Sequence, residues 1–368
     1  MSVGVRRHGK GWSYNFVKYE NGQRKQVTRS GFRTERDAAR ARAAAIATYH
    51  RGTHIDHNRM TVGQWLVDWL PGCNIRATTR ARYESIVNKY LVPKLGGIKL
   101  QELKPATLSK WYRELERAGL APKTVRNIHG VLHKALQDAF EQELVGRNVT
   151  NQVRRSLPSG GSPEMQVWSP EQLRTFLASV KSQRLYAAWR LVAQTGLRRG
   201  EIVGLRWDDV DLATGTVRVA EALVMVNYTV QPSRPKTKKG ERVFQLDPTT
   251  LDALKVWQME QAQERLAIGP RYVESGRVFT TAEGHAIHPQ RFSDWFAQRA
   301  KAAGLPAIRL HDVRHSYATA ALQAGVSPKV VSARLGHSTV QFTMDTYMHV
   351  LPAMDQEAAD TIAAVIDG

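Results

Sequence analysis

The chain has 368 residues, 42% of them hydrophobic, a net charge of +20 and a single cysteine, Cys73. Its length predicts two or three domains with real cores. One cysteine excludes an intrachain disulfide and a cysteine-rich zinc site, and fits a reducing compartment. No apolar run approaches the roughly 18 residues of a membrane span, and the N-terminus has no apolar signal core. We therefore expect a cytoplasmic protein.

The positive charge is concentrated in the first half of the chain. Residues 1–59 carry +9, residues 60–160 carry +8, and residues 161–368 carry +3. Lysine and arginine displace condensed counterions from nucleic acid, so this excess predicts a polyanionic partner. We expect the first two segments to grip that partner and the last to hold an enzyme core. A membrane surface is disfavoured, because no basic amphipathic helix carries an aromatic apolar face.

The first segment, residues 1–59, has the pattern of a small sheet followed by a helix. Turn signals at residues 8–11 and at Asn21-Gly22 separate short alternating runs. Thr34 is a candidate N-cap for a helix that ends near His50. The strands are expected at Val3–Arg7, Trp12–Tyr19 and Arg24–Arg29. A basic sheet of this kind suits a DNA groove; the alternative is a structural appendage with a solvated basic face.

The second segment, residues 60–146, predicts a four-helix unit. The helices are expected at Val62–Leu70, Thr79–Val92, Pro105–Ala118 and Pro122–Leu144. Trp65 and Trp69 recur at helical spacing, which indicates core positions rather than a platform for stacking bases. The last helix has an apolar stripe, and its opposite face is expected to carry Lys123, Arg126, His129 and Lys134.

A basic, glycine- and proline-containing stretch at residues 147–167 predicts a flexible linker before a third segment, residues 168–368. In that segment Ser169 and Gln172 predict a capped helix. Strands are expected at Thr216–Val226 and Arg242–Leu246, and an amphipathic acidic tail follows Leu351. The fold class predicted for the whole chain is multidomain and mainly α, with small β-sheets and a mixed α/β C-terminal domain.

Five short motifs in the last segment carry candidate chemistry. They are, in order, Thr-Gly-Leu-Arg198-x-x-Glu201, a lysine between the two strands, His311-x-x-Arg314, Leu-Gly-His337 and Tyr347. Each alone is more often structural. Residues three apart share a helix face, so His311 and Arg314 can point into one site. Arginine supplies a planar fork of donors that suits phosphate, and tyrosine supplies a hydroxyl that can attack phosphorus.

This ordered set resembles the tyrosine recombinases, the lambda-integrase family, and most closely the phage-type integrases. The resemblance covers residues 60 to 368 by motif and layout, and residues 1–59 resemble the arm-site DNA-binding domain of integrases. It implies a core-binding domain at 60–146 and a catalytic domain at 168–368. The implied activity is site-specific recombination through a 3′-phosphotyrosyl intermediate, without ATP, metal or another cofactor.

The resemblance also implies a role for each motif residue. Tyr347 would be the nucleophile, and Arg198 and Arg314 would clamp the non-bridging phosphate oxygens. His311 would be hydrogen-bond partner or general base for the phenol. The remaining implied roles are a phosphate hydrogen bond from His337, general acid catalysis by Lys236 and orientation of catalytic side chains by Glu201.

The lysine assignment stays open at this point. Lys236, Lys238 and Lys239 lie in the same expected hairpin, and the pattern Lys-Thr-x-x-Gly-x-Arg favours Lys236. His315 and His349 also flank the motifs, and we expect both to be structural.

The implied partners are double-stranded DNA with core and arm attachment sites, and three further copies of the chain in a tetramer on DNA. A host DNA-bending protein and a directionality factor are candidate accessories in a bacterial, nucleoid-associated setting. The expected outcome is integration, and also excision, of phage or mobile-element DNA. The alternatives are an Xer-type resolvase, a type IB topoisomerase and a catalytically inactive DNA-binding accessory protein. No carboxylate cluster has the spacing of a metal-dependent nuclease.

Overall fold

The computed structural model describes residues 4–20, 23–50, 55, 58–160, 165–234, 241–337, 339–347, 363 and 365–367. The chain divides into two compact units, Met1–Gly161 and Ser162–Gly368. None of the helices in the described ranges has the length and apolarity that a membrane crossing requires.

The first unit begins with a three-stranded antiparallel sheet in the order β1-β2-β3. Its strands are β1 (Val5–His8), β2 (Gly11–Glu20) and β3 (Gln23–Phe32). Helix α1 (Glu35–His50) packs on the sheet, where Tyr14, Phe16 and Ala38 are buried. The Thr34 hydroxyl accepts a hydrogen bond from the Asp37 amide at 3.1 Å, which confirms the predicted cap. The expected Asn21-Gly22 turn lies outside the described residues.

The helical part of this unit has a single hydrophobic core. Its helices are α2 (Val62–Gly72), α3 (Ala77–Ile86), α4 (Val92–Leu95), α5 (Pro105–Arg117) and α6 (Pro122–Glu141), with a π-helical turn at Val87–Leu91 joining α3 to α4. The tryptophans of α2 are buried in this core. The Trp65 indole donates to the Ala135 carbonyl at 2.8 Å, and the Trp69 indole donates to Asp138 at 2.6 Å. Their prediction as core residues is confirmed.

Two features of this unit differ from the sequence-based expectation. His129, expected on the polar face of α6, is only 8% exposed, because its Nδ1 is hydrogen-bonded to the Tyr112 hydroxyl at 3.0 Å. Residues Val149–Ser156, expected in a flexible linker, form a 3₁₀-helix that packs on α5 and α6. Val153 is buried there, so local apolar residues hold this stretch to the helices.

The second unit is built from eight helices within its described part. They are α7 (Pro170–Ser179), α8 (Tyr186–Thr195), α9 (Arg199–Gly204), α10 (Pro248–Ile268), α11 (Pro289–Ala302), α12 (Leu310–Gln323), α13 (Pro328–Leu335) and α14 (Val340–Tyr347). The core is rich in aromatic rings, among them Trp168, Trp189 and Trp257. Helix α7 starts with the predicted capping box of Ser169 and Gln172.

Two small sheets accompany these helices. Strands β4 (Val210–Asp211), β5 (Thr216–Val219) and β8 (Arg242–Gln245) form an antiparallel sheet, and β6 (Ala222–Val226) and β7 (Thr229–Ser233) form a hairpin. The single strand expected at Thr216–Val226 is therefore wrong, and β7 was not predicted. Its turn uses Asn227 and Tyr228 at φ 47° and 65°, and tyrosine is no signal for such a turn. The predicted fold class is confirmed.

Candidate active site

The turn from α8 into α9 positions the first arginine. Gly196 ends α8 in the left-handed conformation, and a Cβ there would lie 2.6 Å from the Leu335 side chain. The Arg198 amide donates to Glu201 Oε2 at 2.8 Å, and Arg198 Nη1 donates to Oε1 at 2.9 Å. Arg198 Nη2 donates to the Gly336 carbonyl at 3.2 Å. Its side chain stays 41% exposed and so is open to a ligand.

Two glycines let α9 pack closely on strand β6. A Cβ on Gly200 would lie 2.4 Å from the Leu223 carbonyl oxygen, and a Cβ on Gly204 would lie 2.9 Å from the Leu223 amide nitrogen. Any larger residue would push the helix away. A groove of about 800 Å³ opens beside this contact, with Arg198 and His311 in its wall.

Arg314 on α12 is the second arginine, and it is only 2% exposed. Its Nη1 donates to the Gly196 carbonyl at 2.9 Å, and its Nη2 donates to the Leu335 carbonyl at 2.7 Å. Burial and the charge of Arg198 lower its pKa to about 9, so it remains a cation at neutral pH. The guanidinium ties α12 to the ends of α8 and α13.

His311 lies one helical turn before Arg314 on an exposed edge of α12. Loss of water around its ring lowers its pKa, and the positive charge of Arg314 lowers it further. Its ring meets that of His315 edge-on, with centroids 5.2 Å apart. At neutral pH the imidazole is therefore uncharged and suited to accept a proton.

His337 follows Gly336, which ends α13 in the left-handed conformation. Its Nδ1 lies 2.7 Å from the Thr343 hydroxyl. Burial, and then the charges of Arg314 and Arg198, lower its pKa to about 3. The ring is neutral, and Nε2 is the nitrogen that remains for a ligand.

Tyr347 is the last residue of α14 and has 0% exposure. Burial raises its pKa to about 12, against the opposing charge of Arg314. The hydroxyl lies 2.7 Å from Nδ1 of His315. Burial, and then His311, lower the pKa of His315 to about 4, so this histidine is neutral. His315 therefore has a specific contact that the sequence analysis missed.

Arg242 is a second residue that the sequence analysis left without a role. It is buried at the start of β8 and donates to both Glu201 oxygens, at 3.1 and 2.8 Å. Burial raises the pKa of Glu201, but the hydrogen bonds and charge of Arg242, with the charge of Arg198, outweigh it and lower that pKa to about 2. The only sequence signal was its position at the end of the lysine pattern.

The structure brings together four helix ends and their side chains. Arg198, Glu201, Arg314 and His337 are linked through the carbonyls of Gly196, Leu335 and Gly336 and through the Glu201 carboxylate. Lys236, Lys238, Lys239 and His349 lie outside the described residues. An exposed guanidinium, a buried guanidinium and a neutral imidazole gathered at these helix ends can stabilise a tetrahedral anion such as a phosphodiester.

Comparison with known families agrees with this chemistry. Residues 166–354 match the phage integrase family, residues 61–115 match the N-terminal SAM-like domain of phage integrases, and residues 4–48 match an arm DNA-binding domain. The chain therefore belongs to the phage integrase family. It is a DNA-binding tyrosine recombinase, and the expected family and enzyme class are confirmed.

Two relatives match most of the chain. A "Tyrosine recombinase XerC-like" of Caldanaerobacter subterraneus subsp. tengcongensis is 27% identical over 352 residues, which are 90% of each chain. The "ICEBs1 integrase" of Bacillus subtilis is 30% identical over 285 residues, which are 75% of each chain.

Solved structures share the fold at lower identity. A Tn1549 transposon integrase in complex with transposon right end DNA has a TM-score of 0.69 at 22% identity, covering 81% of this chain and 100% of that one. A lambda integrase tetramer bound to a Holliday junction has a TM-score of 0.58 at 16% identity, covering 92% and 96%.

Proposed function

We propose that this recombinase cuts one DNA strand by attack of the Tyr347 oxygen on the scissile phosphorus. The bond from phosphorus to the 5′-oxygen breaks, which leaves a 3′-phosphotyrosyl ester and a 5′-hydroxyl. Attack by the 5′-hydroxyl of another strand reverses these steps and releases Tyr347. The ester bond is conserved throughout, so joining needs no ATP. The clustering of Arg198 and Arg314 at the turn that precedes His337, with the charge of Arg314 acting on Tyr347, supports this proposal.

The charge distribution of the site supports Arg198, Arg314 and His337 as the phosphate ligands. Arg198 presents an exposed guanidinium, and Arg314 places a buried cation behind it. Charge grows on the non-bridging oxygens as phosphorus becomes five-coordinate, so these cations bind the transition state more tightly than the substrate. His337 adds a neutral hydrogen-bond donor from Nε2, because its Nδ1 is occupied by Thr343.

Because Tyr347 is buried, we infer that the structure corresponds to a state before strand cleavage. A hydroxyl without exposed surface does not reach a phosphate, so its bond to His315 must break before attack. His311, on the exposed edge next to Arg314, then takes the phenol proton. Loss of water around the ring lowers the pKa of His311 most, and the charges of nearby arginines lower it further. Binding of the phosphate anion offsets those charges, which makes His311 a better base.

Protonation of the leaving 5′-oxygen requires a general acid, and we assign it to Lys236. The assignment rests on the lysine pattern ending at Arg242, which places this lysine shortly before strand β8. A lysine near an anionic phosphate keeps its proton at neutral pH and can deliver it to the alkoxide.

We assign a role to each segment of the chain from its charge. Residues 1–59 bind arm sites, residues 60–146 bind core sites, 147–167 link the two parts, and 168–368 form the catalytic domain with the tail. Four copies assemble on DNA, with a host DNA-bending protein and a directionality factor as accessories at the bacterial nucleoid. Relatives named as integrases of ICEBs1 and of Mycobacterium phage L5 favour phage or mobile-element DNA as the substrate.

An Xer-type resolvase is the second candidate. It is favoured by the XerC-like relative, which matches 90% of this chain. The two activities differ in their substrates, because integration joins two different attachment sites and resolution acts on two copies of one site.

Plasmid recombination distinguishes these functions. One reporter carries candidate phage and host attachment sites taken from the DNA that flanks the gene, and the other carries direct repeats of one core site. We expect product only from the first reporter, with none from the Tyr347→Phe variant. Product from the repeats alone would establish the resolvase. Specific DNA binding without any product, with host extract present, would support a catalytically inactive accessory protein.

A further inference from the structure

Arg242 lies behind the candidate active site and joins three of its elements. From the start of β8, its Nη1 and Nη2 donate to the two oxygens of Glu201 on α9. Its Nε donates to the Arg334 carbonyl near the end of α13 at 2.7 Å. Its side chain is only 6% exposed, so these protein groups hold it away from solvent.

The Glu201 carboxylate is shared between two arginines with different surroundings. Arg242 approaches it from the buried side, and Arg198 Nη1 approaches Oε1 from the open side at 2.9 Å. The two arginines and the Glu201 carboxylate together carry one net positive charge. Of the two arginines, only Arg198 is exposed enough to present that charge to a ligand. Without Arg242, Glu201 would neutralise Arg198 instead. Arg242 thus keeps the charge of Arg198 available for phosphate.

The same guanidinium also supports the turn that carries His337. Gly336 adopts φ 66°, and a Cβ added to it would lie 3.0 Å from Arg242 Nη1. A larger residue would be strained at this φ and would press on the guanidinium, so the turn favours glycine at this position. Because Arg198 Nη2 donates to the Gly336 carbonyl, the support reaches Arg198 along a second route.

We propose that Arg242 is a positioning residue for strand cleavage, which acts by balancing the charge of Glu201 and by fixing the Gly336 turn so that Arg198 and His337 face the scissile phosphate. This rests on the proposed use of Tyr347 as nucleophile. Arg242 does not touch DNA in this account, so its loss should slow cleavage and leave DNA affinity nearly unchanged.

The test compares two substrates in single-turnover cleavage. One duplex has a normal scissile phosphate, and the other has a methylphosphonate there, which removes the negative charge that Arg198 stabilises. Arg242→Met should cleave the normal duplex about 10²-fold more slowly, the range for losing one preorganised donor. On the methylphosphonate the loss should shrink at least tenfold, as for Arg198→Ala. Adding Glu201→Gln to Arg242→Met should restore part of the rate on the normal duplex, because the carboxylate that captures Arg198 is gone.

Arg184→Met is the matched control. Arg184 also donates to both oxygens of a glutamate, Glu264, and to a backbone carbonyl, that of Thr280. Among the described residues, its partners include none of the candidate catalytic residues, so its loss should affect both substrates equally and weakly. An equal loss on both substrates for Arg242→Met, with no gain from Glu201→Gln, would overturn the proposal and leave only a role in folding.

If Arg242→Met does not fold, Arg242→Lys tests the positioning role instead. Lysine keeps the positive charge that balances Glu201, but it lacks the planar guanidinium that donates side by side to the two Glu201 oxygens. Its rate on the normal duplex should fall between those of wild type and Arg198→Ala, and a wild-type rate would reject the proposal. Tyr347→Phe separates the two claims: if that variant still cleaves, the proposed nucleophile is wrong, whatever Arg242 does.

Discussion

Nδ1 of His315 lies 2.7 Å from the hydroxyl oxygen of Tyr347, a side chain with 0% exposure. Both groups are uncharged at neutral pH, because burial first of all lowers the pKa of His315 to about 4 and raises that of Tyr347 to about 12. The pair is therefore a neutral hydrogen bond that holds the proposed nucleophile inside the protein. If Tyr347 is the nucleophile, cleavage begins by breaking this bond.

Removing His315 should therefore be much less harmful than removing His311. A hydrogen bond contributes about 1 kcal/mol net, so His315→Ala should release Tyr347 and change single-turnover cleavage by about fivefold at most. His311→Ala should slow it by about 10²-fold or more, as expected for a lost general base. Both rates can be measured on a duplex nicked near the cleavage site. A loss in His315→Ala as large as in His311→Ala would make His315 the proton acceptor.

Arg314 should not tolerate replacement by lysine. Its two terminal nitrogens donate to different carbonyls, those of Gly196 and Leu335, and one ammonium cannot keep this planar geometry. Arg314→Lys should slow cleavage by about 10²–10³-fold, with DNA affinity in gel shifts nearly unchanged. Arg174→Lys, at an exposed ion pair with Glu171, is the control and should behave as wild type. Wild-type cleavage by Arg314→Lys would remove this arginine from the clamp.

The general acid can be identified with a modified leaving group. Sulfur in place of the 5′-oxygen leaves as a thiolate without needing a proton, so it restores cleavage only to a variant that lacks the acid. We expect Lys236→Ala to be slow on the normal duplex and near wild type on the sulfur duplex. Lys238→Ala and Lys239→Ala should stay near wild type on both. Rescue of Lys239→Ala instead would move the assignment to that residue.

Acid should destabilise the first unit through His129. Burial, and then His133, lower its pKa to about 4 from an ordinary value of about 6.5. Between these values the unfolded chain binds the proton and the folded chain does not, so stability falls as pH falls through this window. The protection factors of the amides in α5 and α6, which correct for the pH dependence of intrinsic exchange, should therefore fall between about pH 7 and pH 4.5, and His129→Gln should reduce that fall. An equal fall of the protection factors in both proteins would exclude His129 as the cause.

Local sequence signals predicted the elements but not every contact between them. The capping residues Thr34 and Ser169 and the tryptophan spacing in α2 gave correct helices, because caps and amphipathic periods act within one turn. The boundary between β5 and β6 was missed. The two strands are separate because they pair with different partners, and that pairing is not visible in the local sequence.

The site shows the same limit. The motif order led to Arg198, Arg314, His337 and Tyr347. The structure bonds the two arginines to the carbonyls of Gly336 and Leu335, the residues directly before His337. The Arg242–Glu201 pair spans 41 residues of sequence and joins a strand to a helix. The His315–Tyr347 bond spans 32 residues and joins two helices. Neither pairing has a local signature, so only the folded chain could show them.

The arm segment should matter for integration and not for chemistry. Its basic sheet and α1 form their own small core, and the described part of that segment includes none of the candidate catalytic residues. A protein lacking residues 1–59 should cleave a core-site duplex at the wild-type rate and integrate poorly in the plasmid reporter. Unchanged integration would remove the arm-binding role, and lost core cleavage would show that the segment supports the rest of the fold.

The most direct test of the central claim is to find the atom that DNA is attached to. The protein is incubated with a core-site duplex nicked near the crossover, the SDS-resistant adduct is digested, and the peptide carrying the nucleotide is sequenced by mass spectrometry. We predict a single adduct through a 3′-phosphate on Tyr347, absent from Tyr347→Phe. An adduct on another residue, or none despite specific binding and added host extract, would contradict the account.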